Sequence, residues 1–91
     1  MLFVIRHEHE CVNCPVDHPE PVLKMASREH ARKHGVRLKG SYVAAPEHTF
    51  YFIVEADSYE LLAKFLRPLM KLGKPQISPV EDLATAVKRV R

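Results

Sequence analysis

Residues 36–56, VRLKGSYVAAPEHTFYFIVEA, decide the architecture. The second part, residues 49–56 (TFYFIVEA), is the most strand-like run in the chain, built from aromatic and β-branched side chains that suit a pleated surface. Residues 36–45 (VRLKGSYVAA) alternate, which predicts Leu38, Tyr42 and Ala44 on one side of a second strand. Between them Pro46, Glu47 and His48 leave room only for a tight connection, so the two runs form a hairpin.

Working outward, residues 2–7 (LFVIRH) are a continuous β-prone run, as expected for a central strand buried on both faces. Continued to residue 9, its alternation sends Phe3, Ile5, His7 and His9 to one side and Leu2, Val4, Arg6 and Glu8 to the other. Pro19 and Pro21 suit the first turn of a helix predicted over residues 19–34. That helix has a partly apolar face of Val22, Leu23, Met25, Ala26 and Ala31, with Gly35 as a left-handed stop. After the hairpin, Asp57 and Glu60 read as a capping box for a second helix carrying Leu61, Leu62, Phe65, Leu66, Leu69 and Met70. Pro68 should end its regular part near Phe65. Gly73 and Pro75 precede a short strand of Gln76, Ile77, Ser78 and Val80, which Pro79 marks as an edge. The tail, residues 81–91 (EDLATAVKRVR), spaces Leu83, Ala84, Val87 and Val90 as a short C-terminal helix.

The order strand, helix, strand, strand, helix, strand is the ferredoxin-like βαββαβ arrangement of an α+β protein. Right-handed crossovers then give a four-stranded antiparallel sheet ordered 4-1-3-2 with two helices on one face. A chain of 91 residues makes residues 1–91 a single domain with one modest core, which a metal or a partner subunit would help to stabilise. The hydrophobic content of 46% includes no run long enough to span a bilayer, so no membrane association is expected. The opening MLFVIRH lacks a basic leader and a cleavage site, and a cytoplasmic location is expected. The formal charge of +3 comes from scattered lysines and arginines without interleaved aromatics, so no nucleic-acid partner is expected.

The chemistry gathers at residues 7–18, HEHECVNCPVDH. In the predicted topology the loop after the first strand and the hairpin after the second lie at the same end of the sheet. That end collects His7, His9, Cys11, Cys14, His18, Glu47 and His48. Thiolate and imidazole are the ligands of borderline-soft metals, and the C-x-x-C spacing is common in zinc sites. Zinc is therefore the expected metal, with nickel, iron or copper as alternatives that ligand type leaves open. The set read from spacing is Cys11, Cys14, His9 and either His7 or His18, with His48 as a further candidate and Glu8, Glu10 or Asp17 as orienting carboxylates. His30 and His34 fall in the last turn of the first helix, at the opposite end, and read as partners of the helix dipole. Arg6 and Glu55 are expected to form a cross-strand ion pair.

Residues 41–80, SYVAAPEHTFYFIVEADSYELLAKFLRPLMKLGKPQISPV, resemble the second half of small proteins of unknown function in the dimeric α+β barrel superfamily. There, too, a hairpin leads to a strand ending in an acidic pair, a helix, and a strand closing in Pro-Val. The resemblance spans about half the chain, and it implies a homodimer in which two sheets pair face to face. The Cys-x-x-Cys loop departs from the superfamily pattern, so no activity carries over to it. The combined expectation is a small soluble metal-binding protein, structural or metal-handling. Two alternatives stay open: a small metal-dependent enzyme or small-ligand-binding barrel, given that the superfamily includes oxygenases and isomerases, and a thiol redox or metal sensor module.

Overall fold

A computed structural model describes residues 1–90. The strands are β1 (Leu2–His9), β2 (Arg37–Ala44), β3 (Thr49–Glu55) and β4 (Gly73–Val80); the helices are α1 (Glu20–Met25), α2 (Arg28–Lys33), α3 (Tyr59–Leu66) and α4 (Leu83–Val90). All strand pairs are antiparallel in the order β2-β3-β1-β4, which is the expected 4-1-3-2 arrangement read from its other edge. The fold is α+β and ferredoxin-like.

Alternation along β1 has the predicted phase. Phe3, Ile5, His7 and His9 are buried, whereas Leu2, Val4 and Arg6 are only half-buried. The register places Ile5 opposite Phe52 and Phe3 opposite Val54, so one face of the sheet carries the core. Over it lie Leu62, Phe65 and Leu66 of α3, Met25 of α1 and Ala31 of α2, all essentially inaccessible to solvent. Burial of these aliphatic and aromatic side chains, each contributing about 1.5–3 kcal/mol, fixes the helices on that face. On the opposite face of β1, Leu2, Val4 and Arg6 are half-buried and Glu8 is exposed.

Four local expectations are corrected. The helix predicted over residues 19–34 is two helices, because the Ser27 hydroxyl donates to the Lys24 carbonyl at 2.7 Å and accepts from the His30 N–H at 3.1 Å. One side chain thus stops α1 and caps α2. The cap of α3 is Ser58, which accepts from the Leu61 N–H, and not Asp57. A bulge between Leu38 and Gly40 shifts the phase of β2, so Leu38 faces the core while Tyr42, opposite Tyr51, and Ala44 face the open side. Arg6 pairs with Glu8 at 2.9 Å, and Glu55 pairs with Arg37, which faces it directly in the register. Hydrogen bonding and charge from Arg37 hold the Glu55 carboxyl below the usual carboxylate range.

Elsewhere Gly35 and Pro68 mark helix ends as expected, while β4 begins at Gly73, three residues before the expected Gln76, because Gly73 and Pro75 pair with β1 as part of the strand. Gly35 takes a left-handed φ of 73° and the Val36 N–H bonds back to Ala31 across it, closing α2. Helix α3 stops at Leu66, two residues before Pro68, and β4, which contains Pro75 and Pro79, is an edge strand.

Gly73 opens β4 opposite His9. A Cβ at this position would lie 2.0 Å from the Glu8 carbonyl oxygen and 2.8 Å from the His9 Cα, both backbone atoms. Only a residue without a side chain lets β4 close against the end of β1, where His9 is held. Gly73→Ala should therefore lower stability by about 1–3 kcal/mol, the usual range for forced overpacking. Denaturant unfolding checks this, and an unchanged midpoint would contradict the close approach.

Candidate metal centre

The end of β1, the loop that follows it and the β2–β3 hairpin meet at one end of the sheet. Two short 3-10 turns, Cys11–Asn13 and Pro15–Asp17, flank Cys14. The Cys14 N–H bonds to the Cys11 carbonyl at 3.1 Å and the His18 N–H to the Pro15 carbonyl at 3.0 Å, so the loop is internally braced. Across from it, the hairpin turns through a 3-10 segment, Ala45–Glu47, and His48 adopts a left-handed backbone with φ 51°. The Thr49 hydroxyl donates to the Glu47 carbonyl, and the His9 N–H donates to the His48 carbonyl at 3.0 Å. That last bond joins the strand bearing one imidazole to the turn bearing another.

His9, Cys14 and His48 converge, and one potential ligand atom from each lies within 4.8 Å of the others. The His9 ring stacks on Phe50 at 4.9 Å between centroids and meets the His48 ring edge-on at 5.4 Å. It is 4% exposed, and neither ring nitrogen has a hydrogen-bond partner. Leaving such a group unsatisfied in the interior costs about 1–3 kcal/mol. Burial, then the neighbouring His48 and His7, pushes the His9 pKa down. The shift favours the neutral form, the one that donates a lone pair to a metal. Both cysteines are free thiols.

The remaining residues singled out from the sequence take other places. The Cys11 sulfur lies 3.3 Å from His48 Nε2, in contact with the trio through that ring. His7 is fully buried; its Nε2 pairs with the Leu69 carbonyl at 2.8 Å, and its other nitrogen is unpartnered. His18 is exposed and outside the trio. Glu47 contributes its backbone carbonyl to the Thr49 hydroxyl. The His30 and His34 rings lie 4.5 Å apart between centroids, tilted by 57°, and His30 Nε2 pairs with the Phe65 carbonyl at 3.3 Å. His7 and His30 thus meet carbonyls on either side of Pro68; that of Phe65, three residues before it, is one that Pro68 has no N–H to serve.

Two clefts border the trio. One, of about 420 Å³, is walled by apolar residues that include Val16, Leu23, Val43 and Phe50. The second, of about 580 Å³, lies on the Cys11 side and carries Glu8, Glu10, Lys71 and Lys74. The apolar cleft escapes sequence reasoning because its walls come from three separated segments. In the structure its walls show as large apolar residues left exposed, Val16, Leu23 and Val43.

The left-handed backbone at His48 is costly for a residue with a Cβ, by roughly 1–2 kcal/mol. Among metal-free proteins His48→Gly should therefore be more stable than His48→Ala by about 1 kcal/mol, since both lack the ring and only glycine is free of the strain. Thermal unfolding of the two variants tests this, and equal stability would contradict the assigned backbone.

No curated protein matches the chain. Among solved structures it is similar to the crystal structure of protein Atu4242 from Agrobacterium tumefaciens, with 18% identity, a TM-score of 0.50, and coverage of 91% of this chain and 96% of that one. At that identity the likeness concerns the fold alone. A family model matches residues 1–91, and the chain belongs to that family, described as a domain of unknown function (DUF3303).

Proposed function

We propose that this is a small metal-binding protein whose centre is built on His9, Cys14 and His48, and that its metal is zinc. The observation that carries the reading is His9: a buried imidazole with neither nitrogen hydrogen-bonded, within reach of a thiol and a second imidazole. A metal ion supplies the partner that the protein does not, and its binding energy adds to folding stability. Thiolate with imidazole is a zinc donor set, although nickel, iron or copper accept the same ligands. Cys11, whose sulfur lies 3.3 Å from His48 Nε2, orients that ring. A reducing cytoplasm suits the two free thiols.

We propose further that two copies pair sheet to sheet. In support, Leu2, Val4, Tyr51 and Ile53 lie on the sheet face opposite the core, with Val4 directly across from Ile53 and the charged Arg6 and Glu55 beside them. In addition, α4 leaves Leu83, Val87 and Val90 exposed in one helical stripe. A second copy would bury both.

Protein purified without added metal should carry about one ion per chain by elemental analysis. Cys14→Ser should abolish stoichiometric uptake, and Cys11→Ser should weaken affinity by about 10–100-fold, the usual effect of removing an orienting group. Binding indifferent to both substitutions would overturn the reading. For the pairing, light scattering should give twice the chain mass, and Val4→Lys with Ile53→Lys should give the monomer. A wild-type monomer would refute it.

A further inference from the structure

The proposed metal sits in the wall of the apolar cleft. Of the side chains lining that cleft, the only polar ones are His9, Cys14 and His48; the others come from Pro15, Val16, Pro19, Val22, Leu23 and their neighbours in β2 and β3. Cys11 does not line it. Its sulfur lies 3.3 Å from His48 Nε2 and borders the polar cleft together with Glu8, Glu10, Lys71 and Lys74. Three protein donors therefore face a volume of about 420 Å³ from which no fourth protein donor projects. A zinc ion with three protein ligands keeps its remaining position for water or an external donor. A cavity of this size, apolar apart from one polar point, is what a small-molecule site looks like.

Resting on the metal reading above, we propose that the open position of this centre takes the donor atom of a small, largely apolar molecule. Its hydrocarbon body lies in the cleft between α1 and the β2–β3 hairpin. The cleft walls carry no charged side chain, so a second charge on the ligand would be buried without a partner, and a strongly polar substrate is disfavoured. The ligand class is a single-donor compound, an oxygen or sulfur ligand on an aliphatic or aromatic body. Phe50, which stacks on His9, and Leu23 at the rim are the surfaces such a body meets.

The test uses full-length protein loaded with cobalt(II), whose visible spectrum reports coordination, and two probes with the same metal-binding head. 1-Octanethiol should bind at least about 30-fold more tightly than ethanethiol, because six more methylenes leave water for the cleft. Leu23→Asp should keep the cobalt spectrum of the ligand-free protein and remove most of that preference. Equal affinity of the two probes in a cobalt-loaded protein would overturn this proposal and leave the metal centre standing. So would failure of either probe to change the spectrum, the result expected if Cys11 completes the coordination or a second copy of the chain fills the cleft. A protein that takes up no cobalt would overturn the metal reading and this one with it.

Discussion

The apolar phase of β1 does not stop when its apolar residues do. Phe3 and Ile5 are followed on the same side by His7 and His9, so strand geometry carries two imidazoles into the interior beneath the helices. A buried imidazole must find partners for its nitrogens or carry an energetic penalty of about 1–3 kcal/mol. His7 meets the requirement in part, through the Leu69 carbonyl in the turn that follows α3. His9, one step nearer the sheet end, has Phe50 on one side and the His48 ring edge on another, and no hydrogen bond from either nitrogen. The neighbouring features of the molecule can be read as consequences of holding that ring in place.

Three backbone devices converge on it. Gly73 lets the edge strand close against the residues on either side of the Glu8–His9 bond. The bond from the His9 N–H to the His48 carbonyl ties β1 to the hairpin. The left-handed residue at the end of that hairpin is a histidine, where glycine would relieve the strain. Strain retained at a residue whose side chain faces a thiol and another imidazole is the pattern of a functional position, and it sets the cost of the turn against the value of the ring.

Much of this was legible from residue types and spacing, and what was not has physical causes. The hairpin, the strand order and the side of the sheet reached by His7 and His9 follow from period-two alternation and crossover handedness, both of which are local or general rules. The break between α1 and α2 was hidden because a serine inside an apolar-periodic stretch reads equally well as an exposed helical residue; the Ser27 hydroxyl chose the backbone instead. The phase of Tyr42 departs from the alternation because a bulge at Lys39 leaves no mark in it except an adjacent Gly40. At the centre, spacing could gather six candidates at one end of the sheet but could not rank them. The structure brings His9, Cys14 and His48 together, sets Cys11 against His48, gives His7 a carbonyl and leaves His18 in solvent. Those distinctions depend on where the hairpin tip meets the loop, a contact between positions almost 40 residues apart.

The central claim is that an ion occupies the point between His9, Cys14 and His48. X-ray absorption at the zinc edge of the purified protein reads that directly. The account predicts one sulfur at about 2.3 Å and two imidazole nitrogens at about 2.0–2.1 Å, with a lighter oxygen completing the shell. A shell of oxygen and nitrogen with no sulfur, or a protein without a stoichiometric metal, would contradict it.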